Sequence, residues 1–277
     1  MNDLAIMVAP NGARKGLADH PNLPILPEAI AREAAACVAQ GARAIHLHVR
    51  DDAGKHTLDA ARYLATTDAI KRAVGSDVIV QITTEAVGIF SPTEQIAVVH
   101  ATVPEAVSIA TKELIPDASA ENVAADLYRW AYARRIAVQH IVYSVEELDR
   151  LLGLIARGII PGHRHSLIFP LGRYVTNQES DPAELVPFVA KLKEQGSSST
   201  FIWWACAFGT AETTSLVAAA ALGGHCRIGF ENSFLNADGS LAASNAERVA
   251  DLQASLRGVR RAPSSRAEAL IALGKPG

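Results

Sequence analysis

The sequence predicts a single (β/α)8 TIM barrel over residues 1–277, with a short C-terminal extension. Eight short apolar runs alternate with eight longer helical segments, which is the order of a parallel sheet whose strands are joined by helices. The runs are continuously apolar, so both faces of each strand are expected to be covered. The count of eight and the lack of a GxGxxG motif after the first run favour a closed barrel over an open dinucleotide-binding sheet.

The predicted strands are short and apolar, and most helices between them have a recognisable start. In chain order the strands are Leu4–Ala9, Ala44–Val49, Val78–Ile82, Ala106–Ile109, Ala137–Val142, Ser166–Phe169, Thr200–Ala205 and Cys226–Phe230. The helices are predicted to begin near Pro27, Asp59, Ser91, Ser119, Val145, Asp181, Thr210 and Ser244. Ser91 and Asp181 each precede a proline, and Ser144 has Glu147 three residues on, both of which are typical of helix N-termini.

The composition excludes several classes of protein. Hydrophobic residues make up 49% and charged residues 20% of the chain, and the net charge is -3 without a basic cluster, so no nucleic acid or anionic membrane is expected as a partner. No apolar stretch approaches the ~18 residues of a transmembrane helix, and no secretion signal is predicted. The three cysteines, Cys37, Cys206 and Cys226, form no CxxC pair, which predicts reduced thiols and a cytoplasmic location.

The segment from Ile45 to Asp51 carries the most specific functional signal. His46 and His48 stand two residues apart on a predicted strand, so their side chains share one face. A polar turn follows, which puts the pair at the carboxyl end of the strand, where barrel enzymes place their active sites. Two imidazoles on one face suit a divalent ion such as zinc. The alternative is that both are ordinary strand histidines that make hydrogen bonds.

A third ligand is expected, because catalytic zinc usually has three protein ligands and an open position. Glu231 ends the last predicted strand on the same rim, so we assign the metal to His46, His48 and Glu231. Arg227 and Gly229 should share the face of Glu231, with Gly229 leaving room for substrate. The alternative for Glu231 is a salt bridge at the rim.

Amidohydrolase-type barrels offer another interpretation of a His-x-His strand. They carry the pair on strand one, further histidines on strands five and six, and Asp on strand eight, whereas the pair here is on strand two. His140 could imitate the ligand of strand five, but His163 and His165 precede strand six, at the wrong end of the barrel. This interpretation stays as an alternative.

Several segments of the chain resemble the β-keto acid cleavage enzyme family. The matching segments are Ala9–Ala13, His46–Asp51 with Gly54-Lys55, Thr83–Gly88, Pro104-Glu105 and Gly223–Asn232. The combination of His-x-His-x-Arg-Asp with a later Gly-Gly-His…Arg-x-Gly-x-Glu is specific, because both segments occur in order and on the right strands. The resemblance therefore extends over most of the chain.

The resemblance implies a zinc-dependent TIM barrel, usually a homotetramer, with one Zn²⁺ per subunit. It implies that a β-keto acid reacts with acetyl-CoA as co-substrate, giving acetoacetate and the CoA thioester of the remaining acyl group. The family's metal ligands fall on His46, His48 and Glu231, the three residues already assigned. Its strand-eight arginine falls on Arg227, whose fork of donors could hold developing negative charge.

The resemblance also marks substrate-binding positions. The hydroxyl groups of Thr83 and Thr84, where the family has Ser or Thr, are expected to bind the substrate carboxylate. The alternative for both threonines is ordinary capping of the strand end. Asn11, in the loop after the first strand, is assigned to substrate binding as well.

Two departures from the family pattern bear on chemistry and specificity. Asn232 stands where the family has an Asp that pairs with the arginine in proton abstraction, and an asparagine cannot take up a proton. Either Asn232 only orients Arg227, or another group, such as Glu85, removes the proton. Arg14 stands where members that act on an amino-substituted substrate carry an acidic residue, which predicts an anionic or neutral distal group.

Three functions remain open on the residues alone. The first is acyl transfer between a β-keto acid and acetyl-CoA, for which Arg173, Tyr174 and Trp204 are hypotheses as CoA contacts. The second is a metal-dependent barrel hydrolase or lyase that acts without CoA. The third is a protein that binds a metal or metabolite without catalysis. Only the first requires acetyl-CoA for consumption of the β-keto acid.

Overall fold

Eight parallel strands close into a barrel in the computed structural model, which describes residues 3–196 and 200–276. Together with a separate two-stranded hairpin, the strands in chain order are β1 (Ile6–Val8), β2 (Ala44–Leu47), β3 (Val49–Arg50), β4 (His56–Thr57), β5 (Ile79–Thr83), β6 (Ala106–Ala110), β7 (Ala137–Ile141), β8 (His165–Leu171), β9 (Phe201–Ala207) and β10 (His225–Ile228). The barrel has the order β1-β10-β9-β8-β7-β6-β5-β2, and β3 pairs antiparallel with β4 as a separate hairpin. The predicted fold class is confirmed.

Helices follow the barrel strands along the chain. They are α1 (Pro27–Ala39), α2 (Ala60–Val74), α3 (Pro92–Thr102), α4 (Thr111–Leu114), α5 (Glu121–Ala133), α6 (Val145–Ala156), α7 (Leu185–Glu194), α8 (Glu212–Ala221), α9 (Asn245–Ser255) and α10 (Arg266–Ala272). The side chains of Ser91 and Ser144 accept hydrogen bonds from backbone N–H groups of the first turn, as their spacing predicted. No helix in the described ranges is both long and apolar enough to span a membrane.

The structure differs from the predicted elements at two places near the site. The predicted strand Ala44–Val49 ends at Leu47, and Val49 turns outward into the β3–β4 hairpin, which places Arg50 opposite His56. The predicted helix start at Asp181 is a 3-10 turn over Pro182–Glu184, and α7 begins only at Leu185. Polar turn residues account for both differences, because they satisfy the backbone locally before the regular element begins or after it ends.

The C-terminal extension closes the amino-terminal end of the barrel. Leu270 and Leu273, at the end of α10, pack in one apolar cluster with strand residues such as Met7 and Ile79. The indole N–H of Trp204 donates to the carbonyl oxygen of Ala272 at 2.9 Å. The opposite, carboxyl-terminal end of the barrel is left for polar side chains.

Candidate metal centre

Three side chains converge at the carboxyl-terminal rim of the barrel. His46 lies in β2, His48 follows that strand directly, and Glu231 follows β10. The Nε2 atoms of His46 and His48 lie 3.6 Å and 3.5 Å from the same Oε2 atom of Glu231. Within residues 3–196 and 200–276, no other group of three histidine, cysteine or carboxylate side chains converges to within 4.8 Å.

The charge state of this group suits a divalent cation. Burial, and then the nearby Arg227, lower the pKa of His46 to about 3, so its imidazole is neutral and has a free lone pair. Burial acts to raise the pKa of Glu231, but Arg227 and the two histidines outweigh it and hold that pKa well below its usual value. The neutral imidazole of His46, the imidazole of His48 and one carboxylate therefore face a common point.

Two buried atoms of the group lack hydrogen-bond partners. They are His48 Nε2 and Glu231 Oε2, which face each other. A buried polar atom without a partner costs free energy, and a lone pair opposite a carboxylate oxygen is unfavourable. A cation between them would satisfy both atoms, and a nitrogen, nitrogen and oxygen donor set is one that zinc accepts at catalytic sites. The residues therefore fit the metal that the sequence suggests.

Glycines let the loops around Glu231 approach closely. Gly12 adopts a φ of +62°, and a Cβ atom there would lie 2.6 Å from Glu231 Cγ. At Gly229 a Cβ atom would lie 2.5 Å from the carbonyl oxygen of Ala9, at a φ of +143°. The expectation that Gly229 leaves room for substrate is wrong, because the end of β1 occupies that space. Both glycines are required by backbone packing at the rim.

Arg227 is buried beside the carboxylate. Its Nη2 atom lies 3.2 Å from Glu231 Oε1 and 3.1 Å from Cys206 Sγ, while its Nε atom has no partner. Arg227 lies in β10 and Glu231 in the turn after it, and this turn brings the two side chains together. The guanidinium has donor capacity left for a further oxygen atom.

Glu85 and Asn232 lie differently with respect to this group. The Oε2 atom of Glu85 lies 3.8 Å from His48 Nε2, and its Oε1 atom accepts from Arg173 at 3.2 Å. The side-chain oxygen and nitrogen of Asn232 are buried, and neither has a hydrogen-bond partner. Asn232 therefore does not orient Arg227 through a hydrogen bond in this conformation, and Glu85 is the carboxylate beside the histidines.

The remaining substrate-binding candidates have local hydrogen bonds. Thr83 Oγ1 accepts from the backbone N–H of Glu85 at 3.1 Å, and Thr84 Oγ1 donates to Ser108 O at 3.3 Å. Both contacts match the alternative of strand-end capping, although the Thr83 hydroxyl hydrogen is still free to donate. The amide of Asn11 donates to His48 O at 3.2 Å, which fastens the loop after β1 to the metal-facing strand.

A small cleft of about 60 Å³ opens onto the group from solvent. Its lining consists of Asn11, Gly12, Ala13, Arg14, Lys15, Glu85, Arg173, Gln178, Phe208 and Glu231. Arg14 is exposed, whereas Arg173 is only 12% exposed and lies over the ring of Phe208. Three cations therefore line the entrance, and the two carboxylates in the lining already face histidines or an arginine.

His56 belongs to the site although its sequence position did not indicate it, and Trp204 lies far from the site. His56 Nδ1 lies 3.4 Å from His48 Nδ1, because the β3–β4 hairpin folds it back against the site. The polar turn Asp51–Gly54 was the available signal for that hairpin. Trp204 is fully buried against α10 at the far end of the barrel, so it cannot contact a CoA molecule at the rim.

The histidines that an amidohydrolase-type arrangement would use, His140 and His165, lie outside the barrel interior. His140 alternates with Gln139 along β7 and packs against Tyr128 of α5, on the outer face of the strand. His165 begins β8 and faces His140 with 6.5 Å between ring centroids. Neither joins His46 and His48, so the ligand arrangement of amidohydrolase-type barrels is not present.

The fold and the site together define a β/α-barrel enzyme with a candidate metal centre at the carboxyl ends of its strands. The chain belongs to the beta-keto acid cleavage enzyme family, whose model matches residues 3–274. It is 30% identical over 260 residues to a 3-keto-5-aminohexanoate cleavage enzyme from Fusobacterium nucleatum, covering 90% of this chain and 89% of that one. It is 25% identical over 278 residues to a 3-oxoadipate:acetyl-CoA acetyltransferase from Cupriavidus necator, covering 98% and 94%.

A solved structure supports the fold. The ternary complex of ObcA with a C4-CoA adduct and oxalate matches with a TM-score of 0.74 and 16% sequence identity over 90% of this chain. The chain spans 66% of the length of that protein. At this identity the likeness concerns the barrel fold alone.

Proposed function

We propose that this protein binds one zinc ion per subunit through His46, His48 and Glu231 and cleaves a β-keto acid with acetyl-CoA. The products are acetoacetate and the CoA thioester of the remaining acyl group. The observation that carries the proposal is that His48 Nε2 and Glu231 Oε2, two buried atoms without hydrogen-bond partners, face each other at 3.5 Å. The relative named 3-oxoadipate:acetyl-CoA acetyltransferase supports the acyl transfer.

The roles of the side chains follow from their positions. A bound zinc ion supplies Lewis-acid polarisation of the keto carbonyl. Arg227 stabilises negative charge on a substrate oxygen, because its buried guanidinium keeps an N–H without a partner. Thr83 and Asn11 bind the substrate carboxylate, since Thr83 retains a hydroxyl hydrogen and Asn11 borders the cleft. Thr84, whose hydroxyl already donates to Ser108 O, supports the strand end.

Proton transfer is assigned to Glu85. The substrate carbon between the keto group and the carboxylate loses a proton to Glu85 and forms a bond to the acetyl carbon of acetyl-CoA, which releases the CoA thiolate. The thiolate then attacks the original keto carbon, the older carbon–carbon bond breaks, and the acetoacetate carbon takes the proton back. Besides the proposed ligand Glu231, Glu85 is the carboxylate that lies beside the histidines, with its Oε1 atom paired to Arg173, and Asn232 has no basic site for this step.

The cleft indicates the substrate's distal group and its route of entry. Arg14, Lys15 and Arg173 line the entrance, so an anionic or neutral group beyond the keto carbon is favoured over an amine. The cleft of about 60 Å³ is far below the ~300 Å³ of ordinary ligand pockets, so we expect the loops that line it to move when substrate binds.

A screen of metal content and turnover tests the proposed function. Purified protein is expected to contain about one zinc per subunit and to consume 3-oxoadipate or 3-oxoglutarate only when acetyl-CoA is present, with acetoacetate appearing in equal amount. Turnover without CoA would instead establish the hydrolase or lyase, for which Glu85 would activate water. Zinc binding with no turnover would identify a binding protein. The homotetramer and the cytoplasmic location stay predictions.

A further inference from the structure

A chain of buried hydrogen bonds runs from His46 through the barrel interior to α10. His46 Nδ1 lies 2.8 Å from Gln81 Oε1, and Gln81 Nε2 lies 3.1 Å from Gln139 Oε1. Gln139 Nε2 lies 3.3 Å from Ser166 Oγ, which lies 2.8 Å from Ala272 O. The four side chains are no more than 1% exposed. Strand register creates the chain, since Gln81 pairs beside His46 and Ser166 beside Gln139.

The last member of the chain fixes the direction of every bond in it. The carbonyl oxygen of Ala272 can only accept, so the Ser166 hydroxyl donates to it and accepts from the Gln139 amide. The oxygen of Gln139 then accepts from the Gln81 amide. The oxygen of Gln81 is left to accept from His46 Nδ1–H. A neutral His46 with its proton on Nδ1 presents the lone pair of Nε2 to Glu231.

A second, shorter chain acts on His48 in the same way. The carbonyl oxygen of Glu85 accepts from His56 Nε2–H at 3.0 Å. A neutral His56 with that proton has only a lone pair on Nδ1, which accepts from His48 Nδ1–H at 3.4 Å. His48 therefore also presents a bare Nε2 atom to Glu231. With these tautomers neither His46 nor His48 donates from Nε2 to Glu231, which agrees with the lack of a hydrogen-bond partner at His48 Nε2 and Glu231 Oε2.

We propose that Gln81 and His56 are positioning residues that fix both ligand histidines in the Nδ1–H tautomer. Gln139 and Ser166 extend this control to the carbonyl group of Ala272 at the opposite end of the barrel. Partners of this kind hold a ligand ring in orientation and typically change metal affinity by about 10- to 100-fold. This inference rests on the metal centre of the proposed function, but the tautomers exist in the metal-free protein and are measured without it.

The first test reads the tautomers directly. Long-range ¹H–¹⁵N correlation spectra of the metal-free full-length chain are expected to show His46 and His48 with the proton on Nδ1 and His56 with the proton on Nε2. Single histidine substitutions assign the signals. In Gln81→Met, His46 should become a mixture of both tautomers, while His48 is unchanged. An Nε2–H tautomer at His46 or His48 in the unsubstituted protein would overturn the proposal.

The second test compares zinc affinity with stability. Competition with a chromogenic chelator should show zinc binding weakened by about 10- to 100-fold in Gln81→Met and His56→Phe, and by a smaller factor in Ser166→Ala. Gln81→Glu keeps an acceptor for His46 Nδ1–H and should retain affinity within about threefold. Gln95→Met is the matched control, because Gln95 is equally buried but lies in α3 and donates to Glu113 O.

The outcomes separate this proposal from a structural role and from the metal centre itself. If Gln81→Met and Gln95→Met lose the same thermal stability and both keep zinc affinity, the polar chain only fills the barrel. If the unsubstituted protein binds no zinc, the proposed metal centre fails, and the tautomer spectra still decide whether the two chains act as described.

Discussion

Two pairs of buried histidines in this barrel differ in what surrounds them. His46 and His48 face the barrel mouth with 5.0 Å between ring centroids, and His140 and His165 face a cavity of about 480 Å³ outside the barrel with 6.5 Å between theirs. Burial is the largest cause that lowers the pKa of His46, and likewise that of His140, to about 3. Only the first pair has a carboxylate, Glu231, directed at its free nitrogens.

The difference shows that burial and neutrality alone do not make a histidine pair a metal site. No Asp or Glu is among the described residues that line the cavity beside His140 and His165. His140 Nδ1 has no hydrogen-bond partner, whereas His46 and His48 each have a partner on Nδ1. A converging acid and fixed tautomers distinguish the rim pair.

The largest expected effect is the loss of bound zinc when both histidines at the rim are replaced. His46→Ala/His48→Ala should lose its zinc, with less than about a tenth of an equivalent remaining after dialysis and catalysis abolished, because two of three ligands are gone. The matched variant His140→Ala/His165→Ala should retain about one zinc per subunit. Elemental analysis of both purified proteins decides this, and full retention of metal in the first variant would reject the assignment of the ligands.

The buried ion pair of Arg248 and Glu212 is not among the proposed ligands or catalytic residues, and we expect it to contribute to the stability of the fold. It is therefore a reference against which Arg227 can be compared. Arg248 Nη2 lies 2.6 Å from Glu212 Oε2, and both side chains are fully buried. Arg248→Met leaves the carboxylate unpaired and should lower the free energy of unfolding by about 3–5 kcal/mol.

Urea unfolding of the zinc-saturated protein measures the effect of Arg248→Met. Arg157→Met is the control, because Arg157 pairs with Glu121 at the surface and should change stability by only about 0–1 kcal/mol. If the two variants lose the same free energy of unfolding, burial of the Arg248 pair does not increase its contribution to stability.

Arg227 is expected to differ from Arg248 by acting on rate more than on stability. In the zinc-loaded protein the charge of Glu231 stays compensated, so Arg227→Lys or Arg227→Met should change the melting temperature little. The same variants should lower kcat at least about tenfold, because a donor to the developing oxyanion is lost. Steady-state kinetics with acetyl-CoA checks this, and an unaltered kcat would remove Arg227 from the chemistry.

The smallest expected effect concerns charge at the cleft. Arg14→Glu should shift the ratio of kcat/KM for 3-oxoglutarate over an amino-substituted β-keto acid by roughly fivefold toward the amine, a screened effect of about 1 kcal/mol since Arg14 is exposed. Arg72→Glu makes the same charge change on the exposed face of α2 and should leave the ratio unchanged. A preference of the unsubstituted protein for the amine would contradict the selection by Arg14.

Local patterns were sufficient to predict the barrel and the rim. Apolar runs and helix caps depend on neighbours in sequence. The period of two along the predicted strands indicated that His46 and His48, and Arg227 and Glu231, lie together, although His48 and Glu231 lie just beyond β2 and β10. The carboxyl ends of all barrel strands meet at one rim, so side chains from β2 and β10 were expected to converge without knowledge of their register.

Contacts that depend on register or on the path of a loop were not predicted. Gln81, Gln139 and Ser166 look like isolated polar residues in apolar strands, and only the pairing between strands aligns them. His56 reaches the site through a hairpin inside a predicted loop. Trp204 was placed at a strand end, but β9 continues to Ala207, which leaves the indole deep in the barrel.

The barrel can close only after its last strand, β10, has been synthesised, because β10 pairs with β1. His46 and His48 leave the ribosome early, but β1 has only β2 as a neighbour until β10 emerges, and Glu231 follows β10. At about 5–20 residues per second, the nascent chain carries an exposed histidine pair and an open sheet edge for many seconds. A ribosome-stalled chain that ends before residue 225 should therefore bind zinc far more weakly than one extended past residue 272, in which the acid and the carbonyl of Ala272 have both arrived.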